Sequence, residues 1–107
     1  MASSKEYLAF VLEQLKELPG VTYRAMMGEY ILYVNGKIFG GIYDDRFLVK
    51  PVPSAFKVIQ NPVYVLPYEG AKQMLMIEDI ENRELLAALL EAIVDDLPAP
   101  KTKKRQP

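Results

Sequence analysis

The sequence predicts an α+β fold in two layers: an antiparallel β-meander sheet with an amino-terminal and a carboxy-terminal helix packed on one face. Three observations carry this. Apolar residues recur at three- and four-residue steps towards both ends of the chain. Between them lies a stretch rich in aromatic and β-branched residues, the composition of strands. Within that stretch stands Asn35-Gly36, a strong hairpin signal, because both central residues of a type I′ turn need positive φ. The length, 107 residues, predicts one domain over residues 1–100 and a disordered basic tail at 101–107.

The first helix rests on Leu8, Val11, Leu12, Leu15 and Leu18, with Lys5, Glu6, Glu13, Lys16 and Glu17 on its other side. Ser3 or Ser4 can cap its start, since a hydroxyl accepts from the orphan amides of a first turn. Pro19-Gly20 ends it. Strand character runs from Val21 to Lys50, with residues 30–34 and 37–43 paired around Asn35-Gly36. A second turn at Asp44-Asp45 leads into residues 46–50, which Pro51 and Pro53 terminate. Residues 53–59 read as a short helix, 63–66 and 74–77 as short strands, and Pro67-Tyr68-Glu69-Gly70 as a turn. The last helix follows from Leu85, Leu86, Leu89, Leu90, Ile93, Val94 and Leu97, one turn apart. Asp79, Glu81 and Glu84 suit its positive dipole end, and Pro98-Ala99-Pro100 stops it.

Register arithmetic sharpens the sheet. A two-residue turn at Asn35-Gly36 pairs Val34 with Lys37, Tyr33 with Ile38, Leu32 with Phe39 and Ile31 with Gly40. A like turn at Asp44-Asp45 pairs Ile42 with Phe47 and Gly40 with Val49. Because side chains alternate, Ile31, Tyr33, Ile38, Ile42, Phe47 and Val49 then share one face, expected to be the core. Tyr30, Leu32, Val34, Lys37, Phe39, Tyr43, Arg46, Leu48 and Lys50 share the other. That second face is also largely apolar, and two helices can cover only one side.

Composition excludes much chemistry. The chain has no Cys and no His. Disulfides, thiol nucleophiles, thiolate or imidazole metal sites and a Ser–His–Asp triad are therefore absent. Hydroxyl nucleophiles are few: Ser3, Ser4, Ser54, Thr22 and Thr102. Gly40-Gly41 lacks the spacing and the following helix of a phosphate loop. Glu78, Asp79, Glu81 and Glu84 could be offered to a hard cation, but helix-start carboxylates explain them without a metal. Asp44-Asp45 reads as turn chemistry rather than an acid–base pair. An enzyme is not expected, and no cofactor or metal is implied.

Thirteen basic and fourteen acidic residues give a net charge of −1. Four of the bases, Lys101, Lys103, Lys104 and Arg105, lie in the last seven residues, so the body is mildly acidic and the tail basic. Nothing global attracts the chain to nucleic acid or anionic membrane. No run approaches the ~18 apolar residues of a spanning helix, and the first residues lack a signal-peptide core, so cytoplasm is the default.

The run Arg24-x-Met26-Met27-Gly28-Glu29-Tyr30, then Tyr33-x-Asn35-Gly36-Lys37-x-Phe39-Gly40 and Asp44-Asp45-Arg46-x-x-x-Lys50, resembles the amino-terminal domain of the TfoX/Sxy family. The resemblance covers most of residues 5–97. The ending Leu97-Pro98-Ala99-Pro100-Lys101 is similar to that of small stand-alone members. One departure is Met27, where the family usually has Phe. The resemblance implies a helix, an antiparallel sheet and a closing helix in two layers, similar to type III secretion chaperones. It also implies a link to the regulation of competence or transcription, and it supplies no catalytic residues. Arg24, Met26, Gly28, Tyr30, Gly36, Lys37 and Lys50 carry the family motif.

Three functions follow. The first is a non-catalytic regulatory or protein-interaction module, a homodimer or a partner of another protein, burying Tyr30, Leu32, Phe39, Tyr43 and Leu48. The alternative is nucleic-acid binding, in which bases stack on Tyr30, Phe39 and Tyr43 while Lys37, Arg46, Lys50 and the tail meet phosphates. The third is a small-ligand pocket near Arg24 and the Met26-Met27 pair. Arg24 itself either pairs with a carboxylate such as Glu29 or with sheet-end carbonyls, or it faces a ligand or partner.

Overall fold

The computed structural model describes residues 3–98, so the expected tail at 101–107 lies outside the described residues. Helix α1 spans Lys5–Leu15; the Ser4 hydroxyl caps it, accepting from the Tyr7 N–H at 3.0 Å. Strands β1 (Val21–Met26), β2 (Glu29–Val34), β3 (Lys37–Ile42) and β4 (Phe47–Val49) follow as an antiparallel meander. A 3₁₀ helix at Pro53–Lys57, short strands β5 (Tyr64–Val65) and β6 (Met74–Met76), and helix α2 (Arg83–Ile93) complete the fold. The six strands form one sheet in the order β1-β2-β3-β4-β6-β5. The cap of α2 is Asn82, whose side chain accepts from the Leu85 N–H, rather than one of the neighbouring carboxylates.

Three tight turns build the meander. Met27-Gly28, Asn35-Gly36 and Asp44-Asp45 each hold two residues at positive φ, the geometry whose twist matches paired strands. The Asn and Asp residues tolerate this conformation through local side-chain hydrogen bonding, and glycine has no Cβ to clash. Met27, at φ 52°, has neither advantage.

The core lies between the sheet and both helices. Leu8, Val11 and Leu15 of α1 and Leu86, Leu89 and Ile93 of α2 meet Leu32, Val34, Phe39, Ile42, Phe47, Val49 and Leu75 of the sheet. The α+β two-layer expectation therefore holds.

Part of the expected register does not. Val34 pairs with Lys37 and Tyr33 with Ile38, but Leu32 pairs with Gly40, Ile31 with Gly41 and Tyr30 with Ile42. Phe39 is the extra residue of a β-bulge, and it stands with Gly40 opposite Leu32. One inserted residue inverts every side chain beyond it relative to the partner strand. The faces expected for β2 and the start of β3 are consequently exchanged. Leu32 and Phe39, expected at a partner surface, are in the core, and Tyr30 packs against it. Ile31, Tyr33 and Ile38, expected in the core, are half-buried on the opposite side. Ile42, Phe47 and Val49 are core residues as expected, because β3 and β4 keep the anticipated pairing. Gly40 permits the bulge: a Cβ there would lie 2.1 Å from the Leu48 carbonyl oxygen.

Candidate functional site

The side of the sheet facing away from the helices is the candidate. By strand alternation it carries Thr22, Arg24 and Met26 from β1, Ile31 and Tyr33 from β2, Ile38 from β3, Leu48 from β4, and Met74 and Met76 from β6. It divides into two parts. Towards β4 it is closed by the chain itself. Tyr43 lies across Gly41, whose added Cβ would meet the ring at 2.6 Å, and Gly41 is the cross-strand neighbour of Leu48. The Tyr68 ring rests against Tyr43, with centroids 6.1 Å apart. Arg46 holds this return loop in place, donating to the carbonyls of Leu66 and Pro67. Leu48 is fully buried as a result, so it is not available to a partner. Burial, with Tyr68, Glu29 and Tyr33 close by, pushes the Tyr43 phenol above its usual value of 10.0.

Towards β1 the described residues leave the same side more open. Ile31, Tyr33 and Ile38 form an apolar strip bordered by Arg24, which makes no hydrogen bond or ion pair among the described residues. The carboxylate considered for it, Glu29, is engaged elsewhere: its Oε1 accepts from Ser3 Oγ and from the Asp44 N–H. Exposed apolar groups stand at this border, as they also do around β5 at Tyr64, Leu66 and Tyr68. Tyr23 is 50% exposed, Met26 48% and Met27, at the hairpin tip, 95%. Five of the six residues of β1 are exposed. Tyr23 makes an edge-to-face contact with Tyr30 at 6.0 Å on the helix side.

A hydrogen-bond network anchors this end of the sheet. The Ser3 N–H donates to the Gly28 carbonyl at 2.9 Å, and the Asp45 N–H donates to Ser3 Oγ at 3.0 Å. The Ser4 N–H donates to Asp45 Oδ1 at 2.8 Å. The start of the chain thereby ties the turn at Met27-Gly28 to the turn at Asp44-Asp45. Two shallow grooves accompany it, of about 280 Å³ beside Tyr7, Asp45 and Arg46, and about 400 Å³ between residues 58–63 and the start of α2. Among the described residues no group of three or more Asp or Glu is placed to hold a metal ion.

The six residues expected to bind nucleic acid are not brought together. Phe39 is in the core, and Lys37 Nζ donates to the Val94 carbonyl at the end of α2, on the helix side. Arg46 is spent on carbonyls of residues 43, 66 and 67. Tyr43 lies on the far side, and Tyr30 packs against the core. Lys50 is half-buried just beyond β4. The expected stacking platform is therefore split between two faces by the bulge at Phe39.

Residues 13–92 match the TfoX N-terminal domain. The chain belongs to the TfoX N-terminal domain family. It is also similar to a protein of Spirochaeta aurantia described as an uncharacterized 12.7 kDa protein in the trpE 5′ region. That relative is 37% identical over 105 residues, which cover 97% of this chain and 91% of the relative. No solved structure matches.

In this TfoX N-terminal domain the motif residues divide by role. Gly28 and Gly36, at φ 86° and 81°, close the hairpins, and Lys37 neutralises carbonyl charge at the end of α2. Arg24 and Met26 have no such structural task; both lie exposed on β1. Sequence reasoning overlooked Tyr23 and the free border of β1. The signal was present in Met27-Gly28, where an x-Gly pair separates two strand-like runs.

Proposed function

We propose that this TfoX N-terminal domain is a non-catalytic regulatory module that acts by protein–protein contact, as a homodimer. The observation that supports this is the exposed border of β1, where Tyr23 on one side and Met26 and Met27 on the other stand open, beside the half-buried apolar residues Ile31, Tyr33 and Ile38. Among the described residues, the helices shield one side of the sheet and the return loop shields the β4 end of the other. Exposed apolar side chains along a strand whose outer border has no partner among the described residues mark a contact surface. The left-handed Met27 adds weight. An exposed long side chain at positive φ costs stability and contributes nothing to the core, which fits a residue retained for what it touches.

Light scattering tests the reading. A micromolar dimer would be nearly saturated at about 50 μM and would scatter at twice the chain mass. A monomer under those conditions rejects the homodimer, and salt-dependent binding of single-stranded DNA by that monomer would favour a nucleic-acid role instead.

A further inference from the structure

We propose that a second copy of this chain adds to the border of β1 in antiparallel orientation, on a two-fold axis through Tyr23, so that two sheets become one. This rests on the homodimer reading above and places its seam at the exposed β1 border, with the residues Ile31, Tyr33 and Ile38 on the same face of both copies. The hydrogen-bonding direction of each β1 residue follows from its pairing with β2. The two-residue turn at Met27-Gly28 makes Met26 and Glu29 the closing pair, and the Asn35 N–H donates to the Gly20 carbonyl at 2.9 Å at the far end. Gly20, Thr22, Arg24 and Met26 therefore direct their backbone groups into the sheet. Val21, Tyr23 and Ala25 direct theirs outward. No residue of β1 is a proline, and the strand carries no bulge on this border. It is a straight template for another extended strand.

The strand is suited to its own copy. Pairing Tyr23 with Tyr23 of the second copy sets Val21 against Ala25, both small enough for a close hydrogen-bonded pair. It sets Thr22 against Arg24, so the guanidinium meets a hydroxyl. The neighbouring register, centred on Arg24, would bring two guanidinium groups face to face, which like-charge repulsion disfavours. No carboxylate occurs between Glu17 and Glu29, so the net negative charge of the body does not oppose the approach. On the helix side, the Tyr23–Tyr30 contact would continue as a row of four rings across the seam. An isologous contact of this kind closes on itself as a dimer.

Two variants test it. In Ala25→Pro the missing N–H is one that points outward, so the β1–β2 pairing survives while the seam loses a donor. The expected result is a weakening of the dimer by roughly tenfold or more, with an unchanged circular dichroism spectrum. The chain has no cysteine, so single replacements report the register cleanly. In Tyr23→Cys the two Cα atoms would stand about 5.5 Å apart and should cross-link on mild oxidation. In Arg24→Cys they would stand about 8 Å apart, beyond disulfide reach, and cross-linking should lag far behind. A wild-type dimer that Ala25→Pro leaves intact, or that cross-links through position 24 in preference to 23, overturns the seam while leaving the homodimer reading in place. A wild-type monomer overturns both.

Discussion

Phe39 and Ile38 are adjacent in sequence yet stand on opposite sides of the sheet, and their replacement separates the two faces. Phe39 is fully buried and meets Phe47 edge-to-face, with centroids 6.3 Å apart. Truncating a buried phenylalanine to alanine costs about 4 kcal/mol, the transfer term plus an unfilled cavity. With a urea dependence of roughly 1.5 kcal/mol per M for a chain of this size, the midpoint falls by about 2.5 M. Ile38 is half-buried on the uncovered side, so Ile38→Ala should cost about 1 kcal/mol and move the midpoint by less than about 1 M. Glutamate widens the gap. Phe39→Glu places an unpaired carboxylate in the core and consumes most of a total stability of roughly 5–15 kcal/mol, whereas Ile38→Glu should remain folded. Urea unfolding followed by circular dichroism measures all four variants. If Ile38→Glu unfolds the chain while Phe39→Glu leaves it folded, the bulge is misplaced and the assignment of faces is wrong.

Two further outcomes follow from the same architecture. Gly40→Ala would force a Cβ to 2.1 Å from the Leu48 carbonyl oxygen and 2.9 Å from the Val49 Cα, both backbone atoms, so β3 and β4 must separate. A loss of about 2–4 kcal/mol is expected in urea unfolding, and a loss below ~0.5 kcal/mol would show that the strands approach less closely. Burial raises the phenols of Tyr7 and Tyr43 above 10.0, with nearby Asp45 adding to the first and Tyr68 to the second. The fold holds these protons more tightly than the unfolded chain does. Their stabilising contribution is thus complete below about pH 10 and is lost as pH climbs through the raised folded values. Phenolate absorbance compared between the wild type and Tyr7→Phe and Tyr43→Phe should assign to these two phenols ionisation above 10.0, coupled to alkaline unfolding; ionisation of either at or below 10.0 in the folded protein would contradict this.

The legible parts of the fold are those set by local chemistry. Asn35-Gly36 and Asp44-Asp45 are both two-residue turns at positive φ, and the pairs on either side of them, Tyr33 with Ile38 and Ile42 with Phe47, are those that turn geometry dictates. Residues 53–59, 63–66 and 74–77 also contain the expected short helix and strands. What escaped was a single inserted residue. Strands β2 and β3 are apolar at both parities, so either assignment of faces satisfies hydrophobic patterning, and nothing but the tandem glycines Gly40-Gly41 signals a bulge. The burial of Leu48 was hidden for a different reason. It goes with Tyr68 packing against Tyr43 across the sheet, a non-local arrangement that no periodicity encodes. The expected partner surface of Leu32, Phe39 and Leu48 is buried by the chain itself. The slip of one residue moves Leu32 and Phe39 into the core and leaves Ile31, Tyr33 and Ile38 half-buried on the other side, while Leu48 is covered where it stands.

The unequal lengths of the two outermost strands bear on how far assembly could proceed. At one margin β1 offers a ladder of six residues; at the other, β5 consists of Tyr64 and Val65 alone. A newcomer docking beside β5 would find too short a stretch to hold it. Once two copies are joined through their long margins, each has exhausted its one adhesive rim, and the stunted strand opposite acts as a terminus. Growth would stop at two subunits instead of continuing into a fibre.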